Sequence, residues 1–492
     1  MKSLKQKIFF FLIIIISFIF LFSFSGKLIN NTTGIAQKIK YFVPQSVRDI
    51  LRETVFKSKY LEINYSKLNK KYEKIFENDI SFATKKLKEI SFSNIKSNNN
   101  EKFILKKFSY PYYDHFSWGL KPPGYVANYK NHIILMSGSG EVIYFKKNEI
   151  NNDSINFNIL KTNFQTFINI EKYSDKSLYG IRDITIINDE LFVSFVDPNS
   201  CEKLSILRGK INFNFINFEK FFSFSGCRND FEGQDNEGLD NKKTITFIGQ
   251  RSGGRIVKYD EENILFTIGD YSLTLYPPEA QNLKSFYGSL IKINLNSKET
   301  TILAKGLRNP QGLFYDIYNN IILLTDHGPN GGDEVNIFDL NNEDFNNYGW
   351  PISSYGKHYN STIERAKSSG ELKLLNKGAP LNKSHIDYGF KEPLKYWSPS
   401  IGISEVIKIP DSYNKEFIND YLIAAMGGVI MEGDMTLHQI RLSKEFDKII
   451  YEDKIIIEER IRDLYYDKDL NVFILLLGTS PSLGILRVKN NK

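Results

Sequence analysis

Cysteine is nearly absent: Cys201 and Cys227 are the only two among 492 residues, so at most one internal disulfide can form. Excess charge is also small. Sixty-four Lys and Arg against 57 Asp and Glu leave a formal +7, which suits an anionic membrane or a small anionic molecule and is too little to argue for nucleic acid. Glycine and proline are missing altogether from residues 46 to 90. What is present is an ordinary globular balance, 41% apolar and 25% charged, which excludes wholesale disorder. The length allows a substantial core or several domains.

One uncharged run stands out. MKSLKQK carries three lysines, and Ile8 to Ser25 then follows with 18 residues and no charge. That nearly spans a bilayer, and the basic flank is expected to stay cytoplasmic. Ser23-Phe24-Ser25 also offers the small residues of a cleavage site. The density of Phe and Ile favours a retained transmembrane anchor over a cleaved signal peptide. Either way the rest of the chain is exported, to the extracytoplasmic (periplasmic) side of a membrane or, after cleavage, into the medium. An oxidising compartment would let Cys201 and Cys227 join, which would stabilise the fold by about 3 to 4 kcal/mol; the alternative is two buried thiols.

Residues 26 to 100 read as a helical juxtamembrane stalk and linker. The stretch without glycine or proline spaces Leu61, Leu68, Tyr72, Ile75, Phe76 and Leu87 at helical intervals, as in one or two amphipathic helices. SNIKSNNNEK, 93 to 102, is polar enough for a linker.

From 101 to 492 the pattern is β-like and repeats. Six times a polar turn feeds an apolar strand, in NYKNHIILMSG, IINDELFVSFVD, YDEENILFTIGD, YDIYNNIILLTDHG, INDYLIAAMGG and YDKDLNVFILLLG. The strands begin near residues 133, 191, 264, 321, 421 and 472, with one long gap that must hold an insertion. Such a period predicts an all-β, six-bladed β-propeller. Several of these strands end in GD, DHG or GG, which would gather polar loops at one end of the central channel.

Three stretches near the centre carry chemistry: GLRNPQGL (306 to 313), TDHGPNGGDEVN (325 to 336) and NNYGWP (346 to 351). In this order and spacing the chain resembles the glucose/sorbosone dehydrogenases, the soluble pyrroloquinoline quinone (PQQ)-dependent aldose sugar dehydrogenases. SGGRIVKYDEENILFTIGD, YGSLIKINL, YWSPSIGIS and ERIRDL extend the likeness over about 180 to 490. The resemblance implies a six-bladed propeller that oxidises a sugar or related alcohol by hydride transfer to a calcium-bound quinone. It places cofactor-binding groups at Arg308, Asn309, Arg460 and Arg462, and calcium-binding carbonyls at Gly328 and Pro329 beside His327. The chemistry agrees: planar guanidinium forks pair with the carboxylates of PQQ, and calcium accepts backbone oxygens. Asp333 and Glu334 are expected to brace the loop through backbone hydrogen bonds; a bland reading of Asp463 is a pair with a neighbour on the surface.

The pattern breaks at the general base. The family histidine falls on Arg251, and a guanidinium cannot accept a proton at working pH. All six histidines lie elsewhere, at 115, 132, 327, 358, 385 and 438. An expected glutamine falls at Leu178, and an expected lysine near Gly427. Two readings follow. One is a dehydrogenase in which His327 or an acid serves as base and Arg251 pairs with a cofactor carboxylate or an acidic sugar. The other is a membrane-tethered propeller that binds a sugar or anion without oxidising it. A purely structural scaffold would leave the arginines without a common target.

Overall fold

The computed structural model describes residues 85–99, 102–110, 124–138, 140–168, 180–196, 203–224, 249–274, 277–341, 345–381, 384–410, 419–427 and 435–488. The chain divides into two compact units, 1–66 and 67–492, and every described residue belongs to the second. The expected anchor at 8–25, the stalk up to residue 84, both cysteines and Leu178 lie outside the described residues. Among the described residues no helix is long and apolar enough to cross a membrane.

Six sheets, antiparallel except for two short outer pairings, form the six blades. The innermost strands are Tyr125–Tyr129, Gly180–Ile187, Gly253–Lys258, Pro310–Asp316, Ile403–Lys408 and Ile461–Asp467. Each packs beside the next, and the last returns to the first, so the ring closes. The second strands are His132–Met136, Glu190–Val196, Asn263–Ile268, Ile321–Asp326, Asp420–Ala425 and Val472–Leu477. These are the six repeated apolar runs, each starting within one residue of its expected position. They read as continuous apolar stretches because neighbouring blades cover both faces, as in any strand buried on two sides; every residue of Ile321–Asp326 and of Val472–Leu477 is buried. The polar turns feeding them have a local cause. Asn188 (φ 50°) and Asp189 (φ 62°) adopt the left-handed conformation that a tight two-residue hairpin demands.

Blade six takes its fourth strand from the other end of the described chain. Lys102–Ser109 pairs antiparallel with Ser482–Val488, Phe103 opposite Val488 and Ser109 opposite Ser482. Lys86–Lys96 then adds a further strand along Lys102–Ser109. This corrects the expected domain boundary at 101. Residues 86 to 96 are not the end of a helical stalk, because Leu87 belongs to an alternating strand and packs into a core with Phe108, Ile155 and Phe157. The long gap in the repeat holds an insertion, as expected. Between Asp339 and Lys395 of blade four the chain forms two helices, α1 (Asn360–Ser368) and α2 (Leu372–Gly378). Leu375 and Ala366 of these helices pack with Trp350 and Ala280.

Candidate active site at the polar end of the propeller

In an antiparallel blade the start of the first strand and the end of the second meet at the same end. Arg251, Arg308–Asn309 and Arg460–Arg462 stand at or just before inner strands, while Asp270, His327 and Gly427 stand just after second strands. The topology therefore collects these sequence-distant groups at one end, as the loop pattern implied.

Asp326 anchors the first arginine. Its carboxylate accepts the backbone N–H of Arg308 (2.8 Å) and of Asn309 (2.6 Å). Burial, reinforced by the Glu334 carboxylate, pushes its pKa up to about 8. The Arg308 side chain lies over the Trp350 ring, 5.3 Å to the centroid, and donates to the carbonyls of His327 and of Gly328, the latter at 2.8 Å. Asn309 joins this arginine to those of blade six. Its Oδ1 accepts Gln311 Nε2 at 2.8 Å, and Gln311 Oε1 accepts Arg462 Nη1 at 3.0 Å. Arg462 also donates to the Tyr125 hydroxyl at 2.7 Å, and Arg460 to the Gly427 carbonyl at 2.9 Å. Asn309 and Arg462 are thus joined through Gln311, with Tyr125 as a further link that sequence patterns did not mark, while Arg460 stands two residues before Arg462 and bonds to blade five.

The loop from His327 to Asp333 is braced from within. His327 Nδ1 sits 2.8 Å from Asp333 Oδ1. The same buried carboxylate accepts Gly328 N–H (2.9 Å), the Ser400 hydroxyl (2.5 Å) and the N–H groups of Ile401 and Ile403 (both 3.0 Å). Burial opposes its charge, yet His327 and these donors hold its pKa below the usual carboxylate range. Gly331 (φ 89°) and Gly332 (φ 73°) supply the left-handed turn between. Asp333 braces the backbone as expected. Glu334 does not: its carboxylate meets side chains instead, buried His385 Nε2 at 3.0 Å, whose Nδ1 meets Ser353 Oγ at 2.8 Å, and Asn336 Nδ2 at 3.2 Å.

Asp463 is not the surface residue of the bland reading. It is buried on the propeller axis, where Arg255 Nη1 lies 2.9 Å from Asp463, 2.9 Å from Glu405 and 3.1 Å from Asp183. One guanidinium faces three carboxylates. Burial raises the pKa of Asp183 to about 7 and of Glu405 to about 8. The clue was the repeated I-R-D of residues 181–183 and 461–463, each at a register shift of its inner strand.

Arg251, at the expected place of the base, lines a cleft with Ser272, Pro329, Trp350, His358 and Tyr359. Its Nη1 donates to the Ser272 hydroxyl at 3.0 Å.

The donor set fits a polyanionic quinone. Three guanidinium groups surround one end of the axis, and the Nε atoms of Arg308 and Arg462 are buried without a hydrogen-bond partner. Among the described residues no cluster of three or more His, Cys, Asp or Glu could hold a metal, so a cation there would rely on carbonyls. Gly328 O already accepts Arg308, and Pro329 O accepts the Ser400 hydroxyl at 3.2 Å; each keeps a second lone pair for a hard cation.

A six-bladed propeller that gathers arginines and a Gly-Pro carbonyl loop at one end is the fold and motif order of the sugar dehydrogenases it resembles. The chain belongs to the Glucose / Sorbosone dehydrogenase family, whose sequence model matches residues 228–483. It is 28% identical over 256 residues to the aldose sugar dehydrogenase YliI of Escherichia coli (strain K12), covering 48% of this chain and 59% of that protein. It is likewise 28% identical over 250 residues to the uncharacterized protein slr1608 of Synechocystis, 46% of this chain and 53% of that one. The matched stretch thus spans little more than half of either relative. The fold is shared with the crystal structure of the soluble aldose sugar dehydrogenase from Escherichia coli in its apo-form, at a TM-score of 0.55 and 18% identity over 81% of this chain and 99% of that one.

Proposed function

We propose that the chain is a PQQ- and calcium-dependent oxidoreductase of the aldose dehydrogenase type, acting on a sugar hydroxyl on the extracytoplasmic side of a membrane. One observation carries the reading: Asn309, Gln311 and Arg462 form a hydrogen-bonded chain, and Arg308, which shares Asp326 with Asn309, donates to the Gly328 carbonyl. When bound, PQQ supplies the two-electron acceptor for the hydride of the sugar. Arg308, Arg460 and Arg462 pair with its carboxylates and orient it. His327 is the residue left to take the hydroxyl proton. Its Nδ1 is held by Asp333, and its ring, 24% exposed, has no recorded partner at Nε2 among the described residues. This is the arrangement that directs a histidine outward in one tautomer.

The second reading, a propeller that binds the sugar or an anion without oxidising it, is favoured by Arg251 in place of the base. The deciding experiment is a calorimetric titration of PQQ into the purified full chain, with calcium and after chelation. Calcium-dependent binding followed by quinone reduction on adding an aldose is expected. Binding without reduction favours the second reading, and no binding in either condition overturns the PQQ reading.

A further inference from the structure

We propose that Tyr125, at the head of the first inner strand, is a positioning residue of the cofactor site: its hydroxyl holds the guanidinium of Arg462 in place without consuming its charge, and so sets the affinity for a polycarboxylate cofactor. The inference rests on the PQQ reading above and adds to it a residue that sequence patterns did not mark.

Among the described residues Arg462 is held by neutral groups alone. Its Nη2 donates to the Tyr125 hydroxyl (2.7 Å) and its Nη1 to Gln311 Oε1 (3.0 Å), with Met426 Sδ 3.4 Å away. Its Nε is buried without a hydrogen-bond partner. The neighbouring carboxylate, Asp463, is committed to Arg255 Nη1 (2.9 Å) and to the Val126 N–H (2.8 Å). A guanidinium drawn partly out of water normally pairs with an anion. One that is held by neutral acceptors keeps its charge for an incoming carboxylate, and being already oriented it loses less freedom on binding it.

The meeting of Tyr125 and Arg462 is fixed at two points. Asp463, next to Arg462, accepts the backbone N–H of Val126, next to Tyr125, and the two side chains make the second contact. Gly124 allows the strand to begin there: its φ is 125°, and a Cβ on it would lie 2.5 Å from the Met136 carbonyl oxygen. From the axis, Arg255 supports both holders of Arg462. Its guanidinium carbon lies 4.8 Å from the Tyr125 ring centroid, and its Nε donates to the Gln311 carbonyl at 2.5 Å.

Packing by itself asks for no hydroxyl at this position. The Tyr125 ring is 1% exposed and lies in the core shared by the first three blades, a place that phenylalanine would fill as well. The hydroxyl makes one recorded hydrogen bond, and it is the one to Arg462. A buried hydroxyl costs stability unless it is bonded, so the oxygen has its use in that contact and the ring in the core.

The test is calorimetric titration of PQQ, with calcium, into the full chain as wild type, Tyr125→Phe, Arg462→Met and the double variant, with thermal melting checking that each folds. Tyr125→Phe keeps the ring and should bind PQQ about tenfold more weakly. In the Arg462→Met background the same change should cost nothing further, because the hydroxyl acts through that guanidinium. A Tyr125→Phe chain that binds PQQ as tightly as wild type overturns the inference. So does a loss that simply adds in the double variant, since the ring or the fold would then be its source. Both of these outcomes leave the PQQ reading intact, whereas a wild-type chain that binds no PQQ overturns both.

Discussion

The guanidinium of Arg308 donates to the Gly328 carbonyl at 2.8 Å, so an arginine expected to hold the cofactor is bonded to an oxygen expected to hold the cation. The two expected sites therefore share one hydrogen bond. Replacing Arg308 with Gln should weaken PQQ binding by about 30-fold or more, the usual cost of losing a buried charged partner. Calcium binding to the cofactor-free chain should tighten in the same variant, because Gly328 O is released. Parallel calcium and PQQ titrations of the variant and wild type check both effects.

The His327 ring also enters that loop, through Asp333. His327→Gln removes the proton acceptor, and turnover should fall by about two to four orders of magnitude, far more than PQQ affinity. Single-turnover quinone reduction measures the first and calorimetry the second. An unchanged rate would exclude His327 as the base.

The axial cluster gives stability a definite slope with pH. Asp183 and Glu405, facing Arg255 and Asp463, hold protons in the folded state up to about pH 7 and 8, whereas unfolded carboxyls release them near pH 4. The folded state therefore binds more protons between these limits, and stability is present in full below about pH 4 and lost as pH rises through 7 to 8. Asp333 acts oppositely, its contribution being lost as pH falls below the unfolded carboxylate value. The urea midpoint should be higher near pH 5 than at pH 8, and Glu405→Gln should flatten the difference. Arg255→Met, which strands three buried carboxylates, should cost about 3 to 5 kcal/mol.

The strand at residues 86 to 96 should matter to the propeller itself. Leu87 is fully buried among Phe108, Ile155 and Phe157, and Leu87→Ala should destabilise the fold by about 2 to 5 kcal/mol. Chemical denaturation of the variant measures it, and a chain cut at residue 101 should show at least as large a loss.

The sequence by itself determined the number of blades, because each hairpin is a local event: a left-handed turn such as Asn188-Asp189 followed by a strand apolar on both faces. It also marked Arg308, Asn309, Arg460 and Arg462, because motifs at strand starts are short and ordered along the chain. The role of residues 86 to 96 was misread, because a few apolar positions such as Leu87 fit a helical spacing as well as a strand until a pairing partner is known. That partner, Lys102–Ser109, leads in turn to Ser482–Val488 at the far end of the described chain, and no local pattern announces such a closure. The same holds for Arg255, drawn among Asp183, Glu405 and Asp463 from four of the six blades, and for His385 against Glu334 and Ser353. Local chemistry wrote the strands and the motifs. Only the closed ring, by bringing distant strand ends to one place, decided which charges meet.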